Sequence, residues 1–245
     1  APGEAPRIWT ESLERIVAFL RERRLVLRAV IETHPHADHL TGAQWLKERL
    51  GAPVFIGARV TEIQATFRKL FDWPSLVTDG SQFDRLLHDG EVVKLGELTL
   101  RAIATPGHTP ACTSVQIGDA VFTGDALFLD DVGVGRCDFP RGDAGALYDS
   151  VTKKLFTLPD ATVLYVGHDY PPPTRSWRAS TTVGQARKNN VHLPASASRE
   201  DFVARRTARD ATLKPPRLLR PSIEANLVAG QHDESFSRAE VSHAP

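Results

Sequence analysis

The stretch Thr33-His34-Pro35-His36-Ala37-Asp38-His39 decides how the rest of the chain is read. It packs three imidazoles and a carboxylate into the six residues His34–His39. In an extended segment residues i and i+2 point the same way, so His34 and His36 can grip one ion. A turn into the following helix then brings Asp38 and His39 to a second position. Four such donors, crowded together in their deprotonated forms, favour a divalent cation. Asp38 is expected to cap that helix as well as to ligate. The competing reading, exposed loop histidines with Asp38 as a mere cap, leaves the density of ligands unexplained.

Working outward, Leu25–Ile31 (LVLRAVI) reads as a buried strand that runs into the motif. Upstream, Thr10 is expected to cap a helix whose inward face is Leu13, Ile16, Val17 and Leu20, ended by the basic Arg21–Arg24 turn. Downstream, Ala43, Leu46 and Leu50 share one helical face, with Gly51 as the C-terminal cap. A short strand over Pro53–Gly57 and a helix marked by Val60, Ile63, Phe67 and Leu70 follow. Asp79-Gly80 and Asp89-Gly90 are turn signals. Four short strands are expected at Val92-Val93, Leu98–Ala104, Thr113–Ile117 and Ala120–Thr123. Asp143 is expected to cap a helix carrying Leu147, Tyr148, Val151 and Leu155, and Thr162–Val166 reads as a further buried strand. Beyond it the chain is helical and Pro-punctuated: Ser198 with Asp201 forms a capping box, and Pro215-Pro216 and Pro221 break the later stretch. The order predicts two packed sheets with helices outside, one domain over 1–230 and a polar tail over 231–245.

Three further signals sit at the C-terminal ends of predicted strands: Thr105-Pro106-Gly107-His108-Thr109, Phe122-Thr123-Gly124-Asp125 and Gly167-His168-Asp169-Tyr170. One His or carboxylate at a strand end is usually structural; four such sites in one chain form a constellation. THPHADH, TPGHT, TGD and GHDY, in that order, resemble the metallo-β-lactamase superfamily, over Leu25 to about Asn190. The resemblance implies an α/β (α+β) four-layer αββα sandwich with the metal site at the edge between the sheets. It maps His34, His36 and His108 to one metal position and Asp38, His39 and His168 to the other, with Asp125 able to bridge.

Gly133-Val134-Gly135-Arg136-Cys137-Asp138-Phe139, His168-Asp169-Tyr170, Arg187–Asn190 and the LLRPSIEANLVAG segment narrow the likeness to the persulfide dioxygenase family, relatives of glyoxalase II. That resemblance implies one Fe(II) held by His34, His108 and Asp125, and conversion of glutathione persulfide and O2 to sulfite and glutathione. His36, Asp38, His39 and His168 would then surround the iron without ligating it, Asp38 and His168 serving the chemistry. Arg136 matches the position that holds a glutathione carboxylate, and Thr109 and Tyr170 match positions lining the substrate pocket. The alternative is a dinuclear Zn(II) hydrolase of the glyoxalase II type, for which all seven potential ligands are present. Cys112 and Cys137 are read as packed thiols. Asp130-Asp131 are expected near Arg136, pairing with it or opposing an anionic substrate.

Composition bounds the rest. Lys plus Arg number 30 and Asp plus Glu 30 in 245 residues, so the formal charge is zero, which argues against a dedicated nucleic-acid binder. No apolar run approaches the ~20 residues that span a bilayer. The start does not read as a signal peptide, because Glu4, Arg7, Glu11, Glu14 and Arg15 interrupt any apolar core. Two distant Cys suit a reducing cytoplasm. There is no Met, even at position 1, so residues before Ala1 are expected. The family's opening strands have no counterpart in the residues before Thr10. One sheet is therefore expected to lack its outer strands and to expose an apolar face, which a preceding segment or a homodimer partner would cover. His88, His192, His232 and His243 carry no assigned role.

Overall fold

The computed structural model describes residues 9–194 and 196–231. The polar tail expected from Gln231 onward lies outside them except for Gln231 itself, as do His232 and His243. In chain order the elements are α1 (Glu11–Glu22), β1 (Val30–Glu32), α2 (Ala43–Leu50), β2 (Val54–Gly57), α3 (Val60–Leu70), β3 (Arg85–Leu87), β4 (Val92–Leu95), β5 (Leu98–Ala104), β6 (Thr113–Ile117), β7 (Ala120–Gly124), α4 (Ala144–Ser150), β8 (Val163–Val166), β9 (Ser180–Thr182), α5 (Val183–Asn189), α6 (Arg199–Asp210) and α7 (Leu219–Asn226). A π-helical turn, Val151–Leu155, extends α4.

The strands form two sheets, a parallel β1-β2-β3 and a mixed β4-β5-β6-β7-β8-β9. Three buried clusters fix the layers. Strand side chains alternate faces. Val54 and Ile56 of β2 therefore pack against α2, α3 and α7 with Ala43, Val60, Ile63, Phe67 and Ile223, while Phe55 turns the other way. Phe55 and Leu87 meet Val93, Leu100, Ala102 and Val115 between the two sheets. On the far side, Val121 and Leu164 pack against Leu147, Val183, Ala186 and Phe202 of α4, α5 and α6. Helices, sheet, sheet, helices is the four-layer αββα order.

Several local expectations change. The strand expected over Leu25–Ile31 is hydrogen-bonded only over Val30–Glu32, because β1 finds one neighbour, β2, and Leu25 and Val26 are exposed. β3 and β9, three residues each, carry too little pattern to read from sequence; they exist because β2 and β8 offer them an edge. Thr10 occupies the N-cap of α1, but its hydroxyl donates to Glu14 rather than accepting from the helix, and Ile16 is exposed. Asp38 does not cap α2. The helix begins later, at Ala43, whose N–H is accepted by the Thr41 hydroxyl. Leu70 is exposed at the end of α3. Pro221 does not break a helix: it sits in the first turn of α7, where its missing N–H would have had no partner. The expected caps at Asp143, Ser198 and Gly51 are present. Phe122 and Tyr165, paired across β7 and β8, stack at 5.1 Å and stay part-exposed.

Candidate metal centre

Topology gathers the motifs. β6 is antiparallel to both β5 and β7, and β7 is parallel to β8, so β5, β7 and β8 run the same way. Their C-terminal ends therefore emerge at one edge, followed by His108, Asp125 and His168 respectively. β1 delivers His34 to the same edge, where the Thr113 N–H that opens β6 donates to the Thr33 carbonyl. Two glycines allow the crowding. Gly124, at φ +50°, turns the chain before Asp125, and a Cβ there would lie 2.6 Å from Thr33 Oγ1. A Cβ at Gly107 would run into Leu147 of α4.

His34 and His108 are buried, and their ligating atoms and that of Asp125 lie within 4.8 Å of one another. His108 Nδ1 is 2.7 Å from the Arg136 carbonyl, which can only accept. Nδ1 therefore carries a proton, and in the neutral ring the lone pair is on Nε2. That Nε2 lies 3.8 Å from Asp125 Oδ2, and His34 Nε2 lies 3.9 Å from the same oxygen. His34 Nδ1 is held by Thr33 Oγ1 at 3.0 Å. Burial, and then the neighbouring imidazoles, push the His34 pKa well below its ordinary value, so the ring is neutral and ready to ligate. Asp125 Oδ1 and His36 Nδ1 are buried with no hydrogen-bond partner. Such atoms are costly to leave bare, and a cation held among them removes the cost. The donor set fits a metal ion.

His36, Asp38 and His39 form a second cluster, and Asp38 and His39 are exposed. His168 stands between the two: its Nε2 is 3.5 Å from Asp38 Oδ2 and 3.6 Å from Asp125 Oδ1. Burial also lowers the His39 pKa. Burial works to lower that of His36 too, but the hydrogen bond and charge of Glu32, with Asp125 and Asp38, outweigh it and raise it.

Two supporting residues escaped the sequence reading. Glu32 Oε2 lies 3.4 Å from His36 Nε2, and Glu32 Oε1 accepts from the Thr41 hydroxyl. Glu32, His34 and His36 follow the same i, i+2, i+4 alternation, which was the available signal. Asn226 of α7 donates to the carbonyls of His36 and His39, both at 2.8 Å, and accepts from the Thr41 N–H. It lies 190 residues beyond His36, inside the LLRPSIEANLVAG segment that carries the family likeness, where the sequence marks the segment but not the role of this residue.

A cavity of about 410 Å³ opens on the site, with His108, Asp125, His168 and Tyr170 in its lining. Tyr170 stacks on His168 at 5.6 Å between ring centroids. Arg136 also lines the cavity, but its guanidinium is committed: Nε and Nη2 fork onto Asp138, and Nη1 donates to the Lys214 carbonyl. Asp130 and Asp131 do not meet Arg136; they pair with Arg178 and Arg175. Thr109, expected in the pocket wall, is fully buried with its hydroxyl on Cys112 Sγ at 3.2 Å, and takes no part in the lining. Burial pushes the Cys112 thiol up to about 12 and the Cys137 thiol up as well, so neither is a ready nucleophile.

Residues 6–168 match the family model described as the metallo-beta-lactamase superfamily. A protein of Burkholderia pseudomallei named "Probable metallo-hydrolase" is 45% identical, over 93% of this chain and 81% of its own. The human mitochondrial "Persulfide dioxygenase ETHE1" is 33% identical, over 90% of this chain and 76% of its own. The crystal structure of ETHE1 from Myxococcus xanthus superposes with a TM-score of 0.74 at 35% identity, covering 90% of this chain and 85% of that one. With the ordered ligand motifs and the αββα layers, these likenesses show that the chain belongs to the metallo-β-lactamase superfamily, with persulfide dioxygenases among its relatives.

Proposed function

We propose that this protein is a mononuclear non-haem Fe(II) persulfide dioxygenase, converting glutathione persulfide and O2 to sulfite and glutathione. The observation that carries the proposal is the set of buried His34 and His108 with part-buried Asp125, two imidazoles and one carboxylate within 4.8 Å, set apart from a more exposed second cluster. A triad of this kind suits Fe(II) and leaves neighbouring positions open. The iron supplies a redox-active centre at which the persulfide sulfur and O2 can meet.

The chain supplies the rest. The Arg136 carbonyl fixes the His108 tautomer, as Thr33 orients His34. Persulfide, O2 and water yield glutathione, sulfite and two protons, so protons must leave the site. His168 Nε2 takes a proton, and Asp38 Oδ2, 3.5 Å away on an exposed side chain, passes it to solvent. Tyr170 and Arg136 border the substrate. Arg136→Ala is expected to raise KM with kcat kept, and wild-type kinetics would remove it from the substrate pocket. No helix among the described residues is long and apolar enough to cross a membrane. The two free thiols agree with the proposed cytoplasmic location.

The test is anaerobic purification, metal analysis and O2 uptake with glutathione persulfide. One iron per chain with stoichiometric sulfite is expected. A second reading, a dinuclear Zn(II) glyoxalase II-type thioester hydrolase, is favoured by one observation: His168 reaches both Asp38 and Asp125. Two zinc ions, no O2 uptake and thioester cleavage would establish it in place of the first.

A further inference from the structure

His168 and Tyr170 lie on an awkward segment. β8 ends at Val166 and β9 starts at Ser180, leaving 13 residues, 167–179, without helix or strand. Segments of this length need pinning if they are to hold a side chain in place. The Arg175 N–H donates to the Pro172 carbonyl, and this turn brings the guanidinium back toward the start of the loop. Nη1 and Nη2 fork onto Asp169, at 2.8 and 2.7 Å. Nε and Nη2 fork onto Asp131, at 2.6 and 2.9 Å. A fifth bond runs from Nη1 to the Ser176 carbonyl, so all five guanidinium donors are used. The Asp169 side chain is fully buried, and its Oδ2 also accepts the Arg178 N–H.

Asp131 belongs to a different loop, next to the cavity residue Val132. It sits in a turn closed by the Val132 and Gly133 N–H groups on the Leu129 carbonyl. This turn follows Asp125 in the chain and contains the cavity residue Val132, with Val134 just beyond it. One guanidinium therefore joins the loop of His168 to the loop that follows Asp125. Two bidentate forks restrict both distance and angle, which a single ammonium contact would not.

We propose that Arg175 is a positioning residue: by clasping Asp169 and Asp131 it holds His168 and Tyr170 in register with Asp125. The inference rests on the reading that His168 serves the metal-site chemistry, and it goes beyond any motif that marks the family. Arg175 does not line the cavity, and its side-chain hydrogen bonds go to Asp169, Asp131 and Ser176 rather than to any candidate ligand; it acts through the loop.

The test combines a double-mutant cycle with a spectroscopic signature. Arg175→Gln is expected to lower kcat/KM for glutathione persulfide about 10–100-fold, the range seen when supporting partners of a metal site are removed. The loss should fall on kcat, and Arg175→Lys should recover only part of it. In a His168→Ala background the same change should cost at least several-fold less, because only the placement of Tyr170 is left to lose. Independently of turnover, the His168 ring resonance, assigned by its loss in His168→Ala, should shift or broaden in Arg175→Gln. Wild-type kinetics in Arg175→Gln, or an undiminished cost in the His168→Ala background, would overturn the proposal. If wild-type protein does not oxidise glutathione persulfide, the dioxygenase reading fails, and the resonance alone decides the clasp: an unmoved signal rejects it. Should Arg175→Gln fold poorly, Asp131→Asn, at the more exposed end of the clasp, is read by the same two measurements.

Discussion

The two ligand clusters of this site are built from neighbouring residues and yet differ in kind. His34, His108 and Asp125 are enclosed, and each imidazole has its Nδ1 held so that Nε2 faces the carboxylate. His36, Asp38 and His39 lie further out, with Glu32 on His36 and solvent on Asp38 and His39. Sequence spacing makes the second cluster look stronger, since its members fall within four residues. Structure gives the first cluster the better-prepared ligands, because preparation comes from burial and hydrogen bonds contributed by distant segments. The lesson is that proximity along the chain concentrates ligands, whereas long-range packing sets their protonation state and aim.

Removing His108, from the enclosed set, and His168, which stands between the two clusters, separates their roles with the largest expected effect. His108→Ala is expected to abolish tight metal binding and reduce turnover to background, measured by metal analysis and O2 uptake. His168→Ala should keep one metal per chain and lose about 10–100-fold in kcat, the scale of a lost supporting partner. Equal loss of metal in both variants would erase the distinction and favour a dinuclear site.

A pH experiment sharpens the same contrast. A metal competes with protons for imidazole nitrogen. The His34 pKa is held well below its ordinary value by burial, so the His34 ring stays neutral and able to hold a metal in mildly acidic solution. Against the pull of burial, the His36 pKa is raised by Glu32, Asp125 and Asp38, so its ring is protonated at a higher pH. Metal bound through His36 should therefore leave first as pH falls, while inner metal stays. The sign for stability of the metal-free fold is the opposite. A raised His contributes below the unfolded value of 6.5, and that contribution is lost as pH rises through the folded value. Glu32→Gln should move the His36-dependent release to lower pH in equilibrium dialysis. Release that is simultaneous and unaffected by Glu32→Gln would show that the two clusters act as one.

Much of this was legible in the sequence because each ligand motif ends a strand. His108, Asp125 and His168 stand beside apolar runs whose alternation or length marks β structure, and the order of the four motifs is itself informative. What stayed hidden depends on where loops meet. The sequence shows Arg136 without partners, whereas Asp138, two residues on, and Lys214, 78 residues on, take three of its five donors and leave one N–H on each of Nη1 and Nη2 for a substrate. Asp130 and Asp131 looked like neighbours of Arg136, yet the 167–179 loop brings Arg175 and Arg178 to them instead. Leu25 and Val26 have strand-like side chains but no strand beside them among the described residues, and side-chain preference without a pairing partner does not make a ladder.

Thr109 gives the smallest effect and the finest division between site and scaffold. It follows the candidate ligand His108 directly, and the family resemblance places it in the substrate pocket. Its full burial puts it in the protein interior, with both its backbone N–H and its hydroxyl against Cys112 Sγ. Thr109→Val keeps the shape and removes the hydroxyl. The sulfur is a weak partner and retains the backbone donor, so the expected cost is about 0.5–1.5 kcal/mol of stability. kcat and KM should stay within about twofold of wild type, since no interaction stronger in the transition state is lost. Denaturant unfolding and steady-state kinetics on the same preparation check both halves. A raised KM with unchanged stability would return Thr109 to the substrate pocket and show that the cavity reaches deeper past His108 than its lining residues indicate.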